Sequence, residues 1–137
     1  MNGINNIMNS GDSVESKGVV FFAHNTVDVD YVRIADLSAR LVEQHLKLPI
    51  TLVTDTESDP KHNYDHVVRV EYTGNNFRND HISKEVKQWK NHGRYTAYEH
   101  SPYDNTLLID TDYLVLDDSL LKLMELDYDY RVMEHSN

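Results

Sequence analysis

The runs Gly18-Val-Val-Phe-Phe-Ala-His24 and Ile50-Thr-Leu-Val-Thr-Asp55 decide the fold class, together with the helical pattern between them. Both runs are short and mostly apolar, which is typical of strands that are covered on both faces. Between the two runs, apolar residues recur at steps of three and four positions. This spacing predicts an amphipathic helix that begins at Tyr31 and ends before Pro49. A strand, a helix and a strand in this order predict a βαβ unit with parallel strands. The apolar stripe of this helix is formed by Tyr31, Ile34, Leu37, Leu41, Val42, His45 and Leu46.

The rest of the chain extends the same alternation of strands and helices. Further strands are predicted at 67–72, 106–110 and 128–133, and helices at 81–100 and 120–126. Polar loops are expected at 56–65 and 74–80. The predicted fold class is therefore α/β, with a Rossmann-like, mostly parallel sheet and flanking helices.

The net charge restricts the class of partner. The chain has 23 Asp and Glu residues against 13 Lys and Arg residues, for a formal charge of −10. Nucleic-acid binding needs a basic face, so we expect no nucleic-acid partner. No apolar run approaches the roughly 20 residues of a membrane helix, so we also expect no membrane span. A phosphorylated ligand would need a local positive charge such as a metal ion.

The 137 residues are expected to form one domain at 18–137, preceded by a flexible leader at 1–17. The leader is rich in Asn, Ser and Gly, and it lacks the basic and apolar regions of a signal peptide. The chain has no cysteine, which excludes disulfides, thiolate nucleophiles and cysteine-based zinc sites. We therefore expect a cytoplasmic location, with which this composition is compatible.

The segment Asn105-Thr-Leu-Leu-Ile-Asp110-Thr-Asp112-Tyr-Leu-Val-Leu-Asp117 carries the most chemical information. Asp-x-Asp also occurs at Asp28 and Asp127, but only the pair at Asp110 directly follows an apolar run at a predicted strand end. Two carboxylates one residue apart at a turn can face the same cation. Hard divalent cations accept such oxygen ligands and keep positions open for phosphate oxygens. The sequence therefore predicts Mn²⁺ or Mg²⁺ at Asp110 and Asp112.

Polar residues also follow the other predicted strands. Ala23-His24-Asn25 ends the first strand, and Asp55 ends the second. In parallel α/β sheets, ligands bind outside the carboxyl ends of the strands. We therefore expect these residues and the Asp110-x-Asp112 pair to share one ligand site.

With its flanks, the motif Leu-Leu-Ile-Asp110-Thr-Asp112-Tyr-Leu-Val-Leu resembles the nucleotide-sugar half of GT-A fold glycosyltransferases, closest in character to glycogenin and galactosyltransferase-like enzymes. The resemblance covers residues 18–130. It implies contacts to base and ribose at the end of the first strand and a base contact by Asp55. It also implies that a basic helix residue contacts the nucleotide or sugar; Arg94 is the first candidate and Lys90 the second. The nucleotide-sugar contacts implied are Ala23, His24, Asn25, Asp55, Arg94, Asp110 and Thr111, and the metal ligands implied are Asp110 and Asp112.

The resemblance also implies a function, the transfer of a hexose from a nucleotide-diphosphate sugar, with a UDP-sugar favoured and the acceptor undefined. In the family the acceptor half follows the motif, and residues 113–137 are too few for it. The sequence therefore predicts a GT-A-type donor domain truncated after the Asp-x-Asp strand, with no assigned catalytic base. An exposed fifth strand of such a sheet could pair with a second copy of the chain.

Two alternatives stay open at this point. One is a nucleotide-sugar-binding fragment that does not catalyse transfer. The other is a haloacid-dehalogenase-like phosphatase, whose first motif is also an apolar strand followed by Asp-x-Asp. Against the phosphatase, Tyr113 stands where that family normally has glycine, and little chain follows to carry its other motifs.

Overall fold

A computed structural model describes residues 15–71, 77–88 and 97–125 of the chain. Within these residues, four strands form one sheet and two strands form a separate hairpin; two helices lie between strands in sequence, and a third follows the last strand. The strands are β1 (Lys17–Phe22), β2 (Ile50–Thr54), β3 (His66–Arg69), β4 (Phe77–Asn79), β5 (Val86–Gln88) and β6 (Asn105–Ile109). The helices are α1 (Tyr31–His45), α2 (Ala97–His100) and α3 (Leu121–Met124).

The main sheet is entirely parallel, with the strand order β3-β2-β1-β6. Val19 of β1 lies opposite Ile50 of β2 on one side and Leu107 of β6 on the other. This sheet and its flanking helices confirm the predicted α/β, Rossmann-like class. Because all four strands run the same way, their carboxyl ends meet at one edge of the sheet.

The two central strands form the core. Every residue of β2 is buried, as are all residues of β1 after Lys17, in agreement with their continuous apolar sequences. Val19, Phe21 and Leu52 pack in a cluster that also contains buried residues of α1, whereas Val20 and Val53 belong to a second, smaller cluster. Burial on both faces makes these strands the rigid base from which the polar strand ends project.

Helix α1 confirms the predicted helix, but only part of the predicted stripe is buried: Val42 and Leu46 are buried, whereas Tyr31 and Leu37 are exposed. Its sheet-facing side carries Val32, Ala35, Ala39 and Val42, while Leu37 is 54% exposed. Small side chains let a helix approach a sheet closely, so packing selected the alanine-rich side over the one with larger apolar residues. The helix begins where the side chain of Asp30 accepts a hydrogen bond from the backbone N–H of Arg33.

The predicted helix at 81–100 is wrong over most of its described part. Strand β4 falls in the predicted loop at 74–80, and β5 pairs with it as an antiparallel hairpin, leaving only α2 as helix. The side chain of Asp80 accepts hydrogen bonds from the Ile82 N–H and the Ser83 hydroxyl, which stabilises a local turn between the two strands.

 Lys84 adopts a left-handed backbone conformation with a φ of 61°. This conformation closes the turn between the two strands and is incompatible with a continuous helix.

Several other predictions lie at or beyond the limits of the described residues. Strand β3 ends at Arg69, three residues before the predicted end, and α3 lies within its predicted range. The predicted strand at 128–133, most of the predicted leader, Lys90 and Arg94 lie outside the described residues. Within the described ranges, no helix has the length and apolar character needed to cross a bilayer.

Candidate functional site

The strand order reverses at β1, where the chain has placed β2 on one side and β6 on the other. Phe21 of β1 lies opposite Ile109 of β6, so the two strands end side by side. A reversal of this kind leaves a crevice at the carboxyl ends, because the connections leave the sheet in opposite directions. The residues after β1 and β6 are therefore placed at the mouth of this crevice.

The Asp-x-Asp pair occupies a tight turn directly after β6. The backbone N–H of Tyr113 donates to the carbonyl of Asp110 at 3.0 Å, which closes the turn around Thr111 and Asp112. Both aspartates are exposed, whereas Thr111 is buried and its carbonyl accepts a hydrogen bond from the hydroxyl of Ser38. Helix α1 thus fixes the turn from below and leaves its two carboxylates at the surface.

This donor set fits a hard divalent cation that is shared with a ligand. Asp110 and Asp112 supply carboxylate oxygens, the ligand type that Mg²⁺ and Mn²⁺ prefer. Among the residues that the structure describes, no group of three or more His, Asp or Glu side chains is gathered for a metal. A cation here would therefore complete its coordination with phosphate oxygens and water, as Mg²⁺ sites commonly do.

The residues after β1 lie deep at the same edge. Ala23 is buried, and its backbone N–H still donates to the carbonyl of Val53 at 2.9 Å. His24 is only 3% exposed, and its ring lies 4.7 Å from the ring of Phe22, centroid to centroid. Its Nδ1 is 3.9 Å from Oδ2 of Asp55, so the predicted residues of β1 and β2 are brought together.

Asn25 has a structural role that the sequence did not reveal. Its Oδ1 accepts a hydrogen bond from the backbone N–H of Val32 at 2.9 Å, in the first turn of α1. The first N–H groups of a helix have no partner within the helix, and Asn25 satisfies one of them. The side chain therefore ties the end of β1 to the start of α1.

Asp55 organises the turn that follows β2. Its Oδ1 accepts hydrogen bonds from the backbone N–H groups of Glu57 and Ser58, and its Oδ2 accepts one from the Ser58 hydroxyl. Partial burial would raise the pKa of Asp55, but these hydrogen bonds and the nearby His24 outweigh burial and hold the pKa below its ordinary value. The resemblance implied a base contact for this carboxylate, and the structure shows it engaged by its own turn.

A second acid, Asp36, was missed altogether. This residue lies on the sheet-facing side of α1 and is 8% exposed. Its carboxylate accepts hydrogen bonds from Lys61 N–H, His62 N–H and the Tyr64 hydroxyl. The signal in the sequence was an acid that shares the buried side of the helix with Ala35 and Ala39. A buried carboxylate needs hydrogen-bond donors from elsewhere in the chain, so its position predicted a structural contact.

An open groove of about 510 Å³ lies at the other end of β2 and is not part of this site. It is lined by residues that include Pro49, Ile50 and Asp65, before and at the amino end of that strand. The acidic turn after β6 and the His24–Asp55 contact lie at the carboxyl ends instead. The candidate site is therefore assigned from the strand order and from the polar residues at the strand ends, and not from the position of this groove.

The site is consequently defined by its own geometry: an exposed acidic turn after β6, a buried histidine after β1 and an organised acidic turn after β2. Arg94, the basic residue that the resemblance implied, lies outside the described residues. Comparison of the chain with protein-family models, with curated proteins and with solved structures finds no match.

Proposed function

We propose that this chain is a GT-A-type donor domain that binds a nucleotide-diphosphate sugar through a divalent cation held by Asp110 and Asp112. The observation that carries the proposal is the position of this pair. Both carboxylates are exposed on a turn directly after β6, beside the end of β1, where the order of a parallel sheet reverses. This is where α/β folds of the doubly wound type bind nucleotides.

The sheet also offers a path of suitable length for the nucleotide. Neighbouring strands lie about 4.8 Å apart, so the end of β6 is roughly 10 Å from the end of β2. We place the diphosphate at the acidic turn, the ribose near the end of β1, and the base toward the Asp55 turn after β2. A UDP-sugar is the favoured donor, and the sugar would project from the diphosphate away from the base.

The residues of the chain orient this ligand. The turn after β6 is fixed in place, because the hydroxyl of Ser38 on α1 donates a hydrogen bond to the carbonyl of Thr111. The rigid ends of β1 and β2 exclude water below the nucleotide, since both strands are buried to their last residues. When bound, Mn²⁺ or Mg²⁺ would supply positive charge that stabilises the departing diphosphate during transfer of a hexose to an acceptor. The cysteine-free composition supports a cytoplasmic setting for this proposal.

The proposal is tested by calorimetric titration of UDP and GDP, with and without Mn²⁺, into the wild type and Asp112→Asn. We expect metal-dependent binding of a nucleotide, weakened at least about tenfold in the variant, because a metal ligand loses its charge. Asp118→Asn is the matched control, because it removes the same charge from an exposed position on the same segment. Failure of the wild type to bind either nucleotide, with or without metal, would contradict the proposal.

Turnover separates the remaining functions. Release of UDP from UDP-glucose or UDP-galactose would support a transferase with a donor-activating site, whereas binding without release would favour a non-catalytic binding fragment. Hydrolysis of a phosphate monoester that depends on Asp110 as the nucleophile would instead support the phosphatase alternative.

A further inference from the structure

The turn at 55–58 holds the Asp55 carboxylate in a fixed direction. Three hydrogen bonds reach the carboxylate from within the turn, two from backbone N–H groups and one from the Ser58 hydroxyl. From outside, Nη1 of Arg69 on β3 donates to the carbonyls of Asp55 at 3.0 Å and Ser58 at 2.8 Å. Arg69 therefore fixes the backbone of the turn, and the turn in turn fixes the carboxylate, which has little freedom to rotate toward a ligand.

The carboxylate faces a buried imidazole. Oδ2 of Asp55 lies 3.9 Å from Nδ1 of His24, which is longer than a hydrogen bond but close for an electrostatic contact. Water screens this contact poorly, because the His24 side chain is 1% exposed and packs against Phe22. The negative charge of Asp55 therefore favours a proton on the nitrogen that faces it.

We infer that Asp55 is a positioning residue that keeps a proton on Nδ1 of His24, so that Nε2 is the acceptor nitrogen of the neutral ring. Nε2 is itself buried in the structure, so the role of Asp55 is to set the protonation site of the ring and not to present a nitrogen to a ligand. The protonation site of the ring does not depend on the proposed function.

The experiment is ¹⁵N NMR of the imidazole nitrogens in ligand-free protein with labelled histidine. A spectrum of His24→Gln identifies the His24 signals among the eight histidines. The measurement is made near pH 9, where an ordinary imidazole, with a pKa of about 6.5, is neutral. We expect a proton on Nδ1 in the wild type, and a wild-type ring protonated on Nε2 alone would overturn the inference.

Asp55→Asn tests the cause. The amide oxygen can still accept the two backbone N–H groups of the turn, because Asn forms the same local turns as Asp. The amide NH₂ replaces Oδ2, however, and presents a donor to Nδ1 of His24. We expect the proton to move to Nε2 in this variant, whereas unchanged ring signals would overturn the inference.

Asp59→Asn is the matched control, because Asp59 lies nearby in the same connection and is 78% exposed. Its ring signals should equal those of the wild type, and a switch in this variant too would overturn the assignment to Asp55. If Asp55→Asn does not fold, Arg69→Lys provides the test. It leaves the carboxylate in place but removes the guanidinium nitrogen Nη1, which donates to both carbonyls of the turn. We then expect signals averaged between both protonation sites, and unchanged signals would overturn the inference.

Discussion

Replacement of Asp36 by alanine should destabilise the fold more than any change at the acidic turn. The carboxylate is 8% exposed and joins α1 to the loop before β3. It accepts hydrogen bonds from Lys61 N–H at 2.9 Å, His62 N–H at 3.2 Å and the Tyr64 hydroxyl at 3.0 Å. Alanine would remove the acceptor of all three donors at once.

The magnitude follows from these contacts. A hydrogen bond to a charged group contributes about 1.5–3 kcal/mol, so three bonds set an upper limit near 9 kcal/mol. Water can replace the acceptor for Lys61, which is exposed, but reaches the buried Tyr64 hydroxyl poorly. A buried donor left without its acceptor costs about 1–3 kcal/mol, so with water replacing part of the loss we expect about 3–5 kcal/mol for Asp36→Ala. Asp36→Asn keeps the volume and one acceptor oxygen and should lose about 2 kcal/mol.

Urea denaturation followed by circular dichroism measures the effect. The midpoint should fall while the slope with denaturant concentration stays the same, because the folded structure is unchanged. Leu37→Ala is the matched control, since Leu37 is the next residue of α1 and is 54% exposed, and it should change stability by no more than about 0.5 kcal/mol. An Asp36→Ala variant within about 1 kcal/mol of the wild type would refute the reasoning.

Three further predictions concern the core. Burial, with the charge and hydrogen bond of Asp36, raises the pKa of Tyr64 above its ordinary 10.0, so this stabilisation is present below pH 10 and is lost as the pH rises further; Tyr64→Phe should reduce the fall in urea midpoint between pH 8 and pH 11. In Gly18→Ala the new Cβ would lie 2.3 Å from the Tyr103 ring, so calorimetry should show a loss of about 1–3 kcal/mol that shrinks when Tyr103 is also replaced by leucine. Thr54 is buried and its hydroxyl has no hydrogen-bond partner among the described residues, so Thr54→Val should match or exceed the stability of the wild type in the same melt.

The two central strands were predictable because consecutive residues of each are apolar and buried. A similar apolar run predicted β6, which is only partly buried, and the structure pairs all three strands in parallel. The buried side of α1 was not predictable in the same way. Large apolar residues dominate a sequence pattern, but close packing on a sheet favours the side with Ala35 and Ala39.

The hairpin of β4 and β5 was missed because Ile82 and Val86 stand four residues apart, which is a helical spacing, although neither is buried. They are 93% and 65% exposed. The decisive residue is Asp80, whose side chain accepts hydrogen bonds from the Ile82 N–H and the Ser83 hydroxyl. Such local bonds compete with helix formation, and the apolar pattern does not reveal which of the two prevails.

The same limit applies to the acids at the strand ends, whose positions the sequence indicates but whose hydrogen-bond partners it does not. A carboxylate offers about four sites for hydrogen-bond donors or cations. Asp36 and Asp55 each use three of them on donors of their own chain, so both act primarily on the protein itself. Asp110 and Asp112 lie on an exposed turn whose geometry is fixed by backbone groups and by Ser38, which is the setting that the proposed cation site requires. Sequence places acids at strand ends, whereas the folded structure shows how deeply each acid is buried and which hydrogen bonds Asp36 and Asp55 make within the protein.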